Sequence, residues 1–96
     1  MAERQKLADA DIQARLVDRP GWALVDGKLH KDFRFGSFVQ AFGFMTQVAL
    51  VAEAMNHHPD WTNVYNRVTV DLNTHDLAGI SALDFTLAQR IDAIAG

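Results

Sequence analysis

The sequence has 96 residues, 49% of them hydrophobic and 22% charged, so one soluble domain spanning 1–96 is expected rather than a disordered tail or a collagen-like repeat. Nine Lys and Arg against twelve Asp and Glu leave a formal net charge of −3, without the basic footprint of a nucleic-acid binder. The lack of cysteine excludes a disulfide scaffold, a cysteine nucleophile and a thiolate zinc site.

The charged start, Met1 to Lys6, has no apolar run behind it and does not read as a secretory leader, so the cytoplasm is the expected location. Asp9 is expected to cap a short first helix that buries Ile12 and Leu16, one turn apart. Pro20-Gly21 then turns the chain. Asp26-Gly27, between Trp22–Val25 and Lys28–Phe35, is a hairpin signal, with Leu29, Phe33 and Phe35 on one face and His30, Asp32 and Arg34 on the other.

From Phe35 to Ala52 eighteen residues carry no charge, near the lower length limit for a membrane span. Gln40, Gln47, Gly36 and Gly43 are costly in lipid, so the stretch reads instead as a buried helix, capped by Ser37 and running to about Asn56, and no membrane partner is expected. Phe38, Phe42, Met45, Ala49 and Ala52 form one apolar face, and Phe44, Val48, Val51 and Met55 a second. The chain's own sheet covers one face. The other predicts a homo-oligomer interface, the alternative being a helix sandwiched within one subunit.

After His57-His58-Pro59 an irregular stretch is expected to Asn63, then a strand over 64–72 with Val64, Val68, Val70 and Leu72 inward and Asn66 breaking the pattern. Asn73 to Gly79 reads as a loop. Ser81 with Asp84 forms a capping box for a last helix that buries Leu83, Leu87, Ile91 and Ile94. Antiparallel strands with helices packed on one face make an α+β two-layer sandwich.

Three of the four histidines, His57, His58 and His75, fall at element ends, where rigid structure holds exposed side chains. Imidazoles near neutral pH donate or accept protons, so two facing one pocket suit general acid–base catalysis. A three-histidine zinc site and histidines without a role in polar loops are the competing readings. The helical i, i+4 pair usual for zinc is missing, and adjacent histidines do not easily aim at one ion. Glu53, four residues before His57, either orients that imidazole or is a solvated helix-end carboxylate. Trp61 either covers a planar ligand or is partial core, Thr74 either meets a ligand or caps the strand, and His30 is assigned no role.

The run from Glu53 through Asn56-His57-His58-Pro59-Asp60-Trp61 to Val68, followed by Thr74-His75, resembles the pterin-4a-carbinolamine dehydratases. Ala41–Thr46 and Ala78–Asp92 fit as well, and the similarity covers nearly the whole chain from Pro20 onward. The resemblance implies a four-stranded antiparallel sheet with three helices on one face, and dimers or tetramers built through sheet edges and the long helix. It also implies dehydration of 4a-hydroxytetrahydrobiopterin to quinonoid dihydropterin without metal or cofactor. By the same similarity His57 and His75 are the acid–base pair and His58 holds or assists the hydroxyl. Asn56, Asn73, Thr74 and Asp76 flank the pterin, and Glu53, Trp61 and Asp84 support the pocket. Asn56 stands where many members are acidic, and Asn73 where a small hydroxyl residue is common. Animal relatives also serve as dimerisation cofactors through the long helix. Some bacterial relatives that lack the histidines are assembly factors, whereas this chain keeps all three. A protein-binding module using the apolar helix is therefore the alternative function.

Overall fold

The computed structural model describes residues 5–96; residues 1–4 of the charged start lie outside them. In chain order come helix α1 (Asp9–Leu16), strands β1 (Ala23–Val25) and β2 (Lys28–Arg34), helix α2 (Phe38–Met55), strands β3 (Asp60–Val64) and β4 (Arg67–Leu72), a 3-10 turn (His75–Leu77) and helix α3 (Ala82–Ala95). The strands form one antiparallel sheet in the order β1-β2-β4-β3, and with the three helices make the expected α+β fold.

The first hairpin turns on Asp26 (φ +50°) and Gly27 (φ +78°). Two successive left-handed residues match the twist of the flanking strands, which is why Asp-Gly is favoured there. The second hairpin corrects the reading of 64–72 as one strand. Tyr65 (φ +53°) and Asn66 form a two-residue turn, and the stretch taken as irregular is β3. Val64 consequently ends an edge strand and is exposed rather than inward. Asn66 breaks the alternation because it is the turn. Its side-chain amide donates to the Phe35 carbonyl at 2.8 Å, and its own carbonyl accepts the Phe35 N–H at 2.8 Å.

The inner sheet face carries Leu29, Phe33, Val68, Val70 and Leu72, all buried. Phe33 packs on Phe44 of α2, ring centroids 5.0 Å apart, and against Trp22 edge-on at 6.1 Å. Lys31 also points inward. Its ammonium meets Asp92 of α3 at 2.8 Å, while Arg19 (3.0 Å) and the Trp22 indole N–H (3.0 Å) reach the other Asp92 oxygen. One carboxylate thereby ties the last turn of α3 to the sheet. The outer face bears the alternating polar set, including His30 with its ring 2.8 Å from Asp71.

Asp9 is not the cap of α1. Ala8 holds that position without a side-chain bond, and Asp9 and Asp11 instead place negative charge in the first turn, where the exposed N–H groups favour it. Ser37 caps α2, accepting the Gln40 N–H at 3.1 Å. In α2 the buried stripe is Ala41, Phe44, Val48 and Ala52, facing the sheet and α3. Phe38, Phe42 and Ala49, read as one apolar face with Met45 and Ala52, turn outward, and Val39 and Leu50 extend that exposed surface. By length and composition α2 is the one helix among the described residues able to cross a membrane. Here its apolar stripe is a core element.

Candidate active site

Helix α2 stops where Asn56 adopts a left-handed conformation (φ +52°), which an Asn tolerates. The Asn56 N–H returns to the Glu53 carbonyl at 3.1 Å, and the His57 N–H to that of Ala52 at 3.0 Å. This closure turns the His57 ring inward, under α3. His58, held extended by the following Pro59, points outward. On the other side of the site, β4 runs into Asn73 and a tight loop. The Thr74 N–H bonds the Gly79 carbonyl at 2.8 Å, and a single 3-10 turn between them carries His75 and Asp76. Neighbouring chain ends thus deliver Asn56, His57, His58, Asn73, His75 and Asp76 to one cavity of about 200 Å³. Larger clefts lie between α1 and α3 (about 280 Å³) and beside the chain's last residue (about 510 Å³), but no imidazole lines either.

Behind the cavity is a buried polar network. His57 is 7% exposed and Asp84 0%. The His57 Nε2 lies 2.6 Å from Asp84 Oδ1, and Asp84 Oδ2 accepts the Thr74 hydroxyl at 2.8 Å and the Ser81 N–H at 2.9 Å. The Thr74 and Ser81 hydroxyls are themselves 2.6 Å apart. A carboxylate sealed from water is stable only when both oxygens are hydrogen-bonded, and here both are. With the proton of the neutral ring on Nε2, facing Asp84, the His57 Nδ1 is left as an acceptor.

The other two imidazoles also meet carboxylates through Nε2. His58 is 2.8 Å from Glu53 Oε1, a solvent-exposed pair. Of the two readings of Glu53, the pairing with His57 does not form, because His57 lies beyond the helix end and i, i+4 geometry no longer applies; Glu53 is a solvated helix-end carboxylate that meets His58. His75 Nε2 is 3.5 Å from Asp60 Oδ2, an oxygen that also receives the Lys28 ammonium at 2.9 Å. The bond from Lys28 holds the Asp60 carboxyl below the ordinary carboxylate range, His75 adding to the effect.

Thr74, expected beside the pterin, and Trp61, read as either a ligand cover or partial core, do not line the cavity. The Thr74 side chain is spent on Asp84 and Ser81, and Trp61 packs against the hydrophobic core from β3. Asn73 Oδ1 is buried and accepts no hydrogen bond among the described residues. Those residues also include no group of three or more His, Asp or Glu side chains placed to hold a metal ion. His30 lies on the outer sheet face, with Asp71 and Asp32 as partners. Asp60 and Lys28 escaped the sequence reading. Recognising the Tyr65-Asn66 turn would have located Asp60, since the hairpin pairs it with Asp71, two residues before Asn73.

Residues 5–94 match the family model described as Pterin 4 alpha carbinolamine dehydratase. A Solibacter usitatus protein named "Putative pterin-4-alpha-carbinolamine dehydratase" is 58% identical over 90 residues, covering 94% of this chain and 95% of its own. A crystal structure from Brucella melitensis, described as a transcriptional coactivator/pterin dehydratase, superposes with a TM-score of 0.92 at 44% identity, covering 96% of this chain and all of that one. A pterin dehydratase-like protein identified as a RuBisCO assembly factor in the alpha-carboxysome is more distant. It has a TM-score of 0.65 and 28% identity over 78% of this chain and 87% of that one. A match to the family model over nearly every described residue, with relatives of the same length, places this chain in the pterin-4a-carbinolamine dehydratase family.

Proposed function

We propose that this protein dehydrates 4a-hydroxytetrahydrobiopterin, the adduct left by aromatic amino acid hydroxylases, and so supports tetrahydrobiopterin recycling in the cytoplasm. The observation that carries the reading is the single cavity into which a helix end delivers His57 and His58 and a strand end delivers His75. The reaction removes the C4a hydroxyl and the N5 proton, and a C4a–N5 double bond takes their place. One imidazolium protonates the departing hydroxyl as one imidazole takes the N5 proton, so no net charge is created and the protons balance. His57 and His75 form this acid–base pair. The Asp84 carboxylate stabilises the cation that forms when His57 Nδ1 gains a proton, and more exposed His75 exchanges protons with solvent. His58, oriented by Glu53, holds the hydroxyl.

The cavity is smaller than the ~300–1,000 Å³ typical of drug-sized ligands, in keeping with a small bicyclic ring. The pterin amide edge presents N–H donors, and the unpartnered Asn73 Oδ1 supplies an acceptor for one of them. Asn56 and Asp76 close the rim beside it. Thr74 acts from behind through Asp84, and Trp61 braces β3. No cofactor enters this scheme. The decisive measurement follows the decay of enzymatically generated carbinolamine with wild type and with H57A/H75A. Loss of acceleration in a double variant that keeps its circular dichroism supports the assignment; full activity refutes it.

A second surface bears on partners. Phe38, Val39, Phe42 and Leu50 expose 48–79% of their area on a helix with no charge before Glu53, and clustered apolar exposure of this kind marks an interaction surface. We assign this face, with the open sheet edges β1 and β3, to a homodimer or homotetramer. Capture of another protein by the same helix is the alternative, favoured by the coactivator and assembly-factor descriptions of the two structural neighbours.

A further inference from the structure

We propose that Asp60 is a positioning residue for His75 and that Lys28 sets how firmly it holds that ring. This rests on the reading of His75 as half of the acid–base pair.

The cavity histidines share a pattern: each directs Nε2 at its own carboxylate. For His57 and His58 the contacts are hydrogen bonds, at 2.6 and 2.8 Å. For His75 the contact to Asp60 Oδ2 is 3.5 Å, and the same oxygen is claimed by Lys28 Nζ at 2.9 Å. Asp60 opens the edge strand β3 and Lys28 opens β2, on opposite sides of β4, so their ion pair spans the end of that strand. The register places Asp71 between them, opposite both Asp60 and His30. The charged groups around Asp60 are therefore Lys28, His75 and Asp71, with His30 on the far side of Asp71.

The bond donated by Lys28 holds the Asp60 carboxyl below its ordinary range against the opposing effect of burial. A half-exposed carboxyl is anionic where imidazoles titrate with or without that help, so what Lys28 governs is how much of the shared oxygen is left to His75. A permanent anion at Nε2 favours the neutral ring form protonated there, which leaves Nδ1 as the lone-pair nitrogen. It also gives an exposed side chain, otherwise free to rotate on a surface loop, a preferred orientation. The length of the contact follows from the competition, since Lys28 draws the shared oxygen toward itself. Catalytic hydrogen bonds that are long in the empty site tighten when substrate binds. For His57 the buried Asp84 carboxylate selects the tautomer. His75 has the same tautomer selected at the surface, by a carboxylate that a lysine partly withholds.

The test uses the full chain labelled with 15N-histidine, with the ring nitrogens read by NMR above the range of imidazole titration. Wild-type His75 is expected in the Nε2–H form. In D60A its nitrogen shifts move toward the mixture of tautomers of an unconstrained histidine side chain. In K28M, where Asp60 serves His75 alone, they move further toward pure Nε2–H. In the dehydration assay D60A loses roughly tenfold in kcat with little change in KM, a fraction of the ~10²–10⁴ that a whole acid–base group contributes. D60N substitutes for D60A if the alanine variant does not fold. Unchanged His75 nitrogen shifts in a folded Asp60 variant overturn the proposal, as does a shifted tautomer with wild-type kcat. A wild-type protein without dehydratase activity removes the functional reading instead, while the nitrogen shifts still decide whether Asp60 orients His75.

Discussion

Replacing Asp84 by Asn and by Ala should separate the two tasks of the buried carboxylate. Asp84 receives three hydrogen bonds with no water to replace them: from His57 at 2.6 Å, from Thr74 at 2.8 Å and from the Ser81 backbone at 2.9 Å. In D84A the Thr74 hydroxyl keeps its Ser81 partner, but the His57 ring N–H and the Ser81 N–H are stranded. At about 1–3 kcal/mol for each buried unsatisfied donor, the loss is about 2–6 kcal/mol, a large share of the ~5–15 kcal/mol that holds a small domain together. In D84N the amide oxygen still serves Thr74 and Ser81, and the amide NH2 takes the place of Oδ1, facing His57. Two N–H groups cannot face each other, so the ring must move its proton to Nδ1, the nitrogen that the proposed reaction needs as a base. D84N should therefore stay folded, about 1–2 kcal/mol less stable for the loss of a charge-assisted bond, and lose roughly 10²–10⁴ in kcat. Stopped-flow decay of the carbinolamine and urea unfolding measure the two effects. E53Q is the control: its exposed pair with His58 is worth about 0–1 kcal/mol, so its unfolding midpoint should barely move. Wild-type kcat in D84N, or wild-type stability in D84A, would refute the reasoning.

Two further outcomes concern the sheet and the long helix. The hydrogen bond that the His30 ring donates to Asp71 raises the His30 pKa against a desolvation effect that lowers it, with the Asp71 and Asp32 charges assisting. A raised folded-state value means that this stabilisation is fully present below the unfolded value of about 6.5 and disappears as pH rises through the folded one. Urea unfolding from about pH 5 to 8 should show that loss in wild type and a flatter profile in D71N; identical profiles would contradict it. For α2, F42D/L50D places charge on side chains that are 57% and 69% exposed in the protomer. Sedimentation should show wild type as a dimer or tetramer and the variant as a protomer with unchanged circular dichroism. A wild-type protomer at micromolar concentration, or a variant that still assembles, would remove the homo-oligomer assignment.

The elements most legible in the sequence are those whose signal is local. Asp26-Gly27 supplies the two left-handed residues that its turn requires, Ser37 supplies a cap for α2, and the inward positions of β4 alternate cleanly. The second hairpin was hidden because its turn uses Tyr65-Asn66, with a tyrosine at positive φ where Gly, Asn or Asp is usual. Periodicity then ran Val64 into β4 and hid β3. The facing of α2 was hard for a different reason. Apolar residues occupy most of its circumference, so spacing alone did not decide which stripe meets the sheet. Three-dimensional packing did, choosing Ala41, Phe44, Val48 and Ala52.

The site was legible at the level of residue type and only partly at the level of partnership. Histidines at a helix end and a strand end marked the place, but no spacing rule connects His57 to a residue 27 positions on. Asp84 announced itself as a helix cap, and that reading is correct, since one of its oxygens accepts the Ser81 N–H at the start of α3. What it concealed is that a cap needs only one carboxylate oxygen. The second is available to any group brought under the first turn of α3, and the left-handed Asn56 brings His57 there. The arrangement couples folding to chemistry. The bond that fixes the start of α3 also fixes the carboxylate, the carboxylate fixes the ring tautomer, and the tautomer decides which nitrogen is free to take a proton.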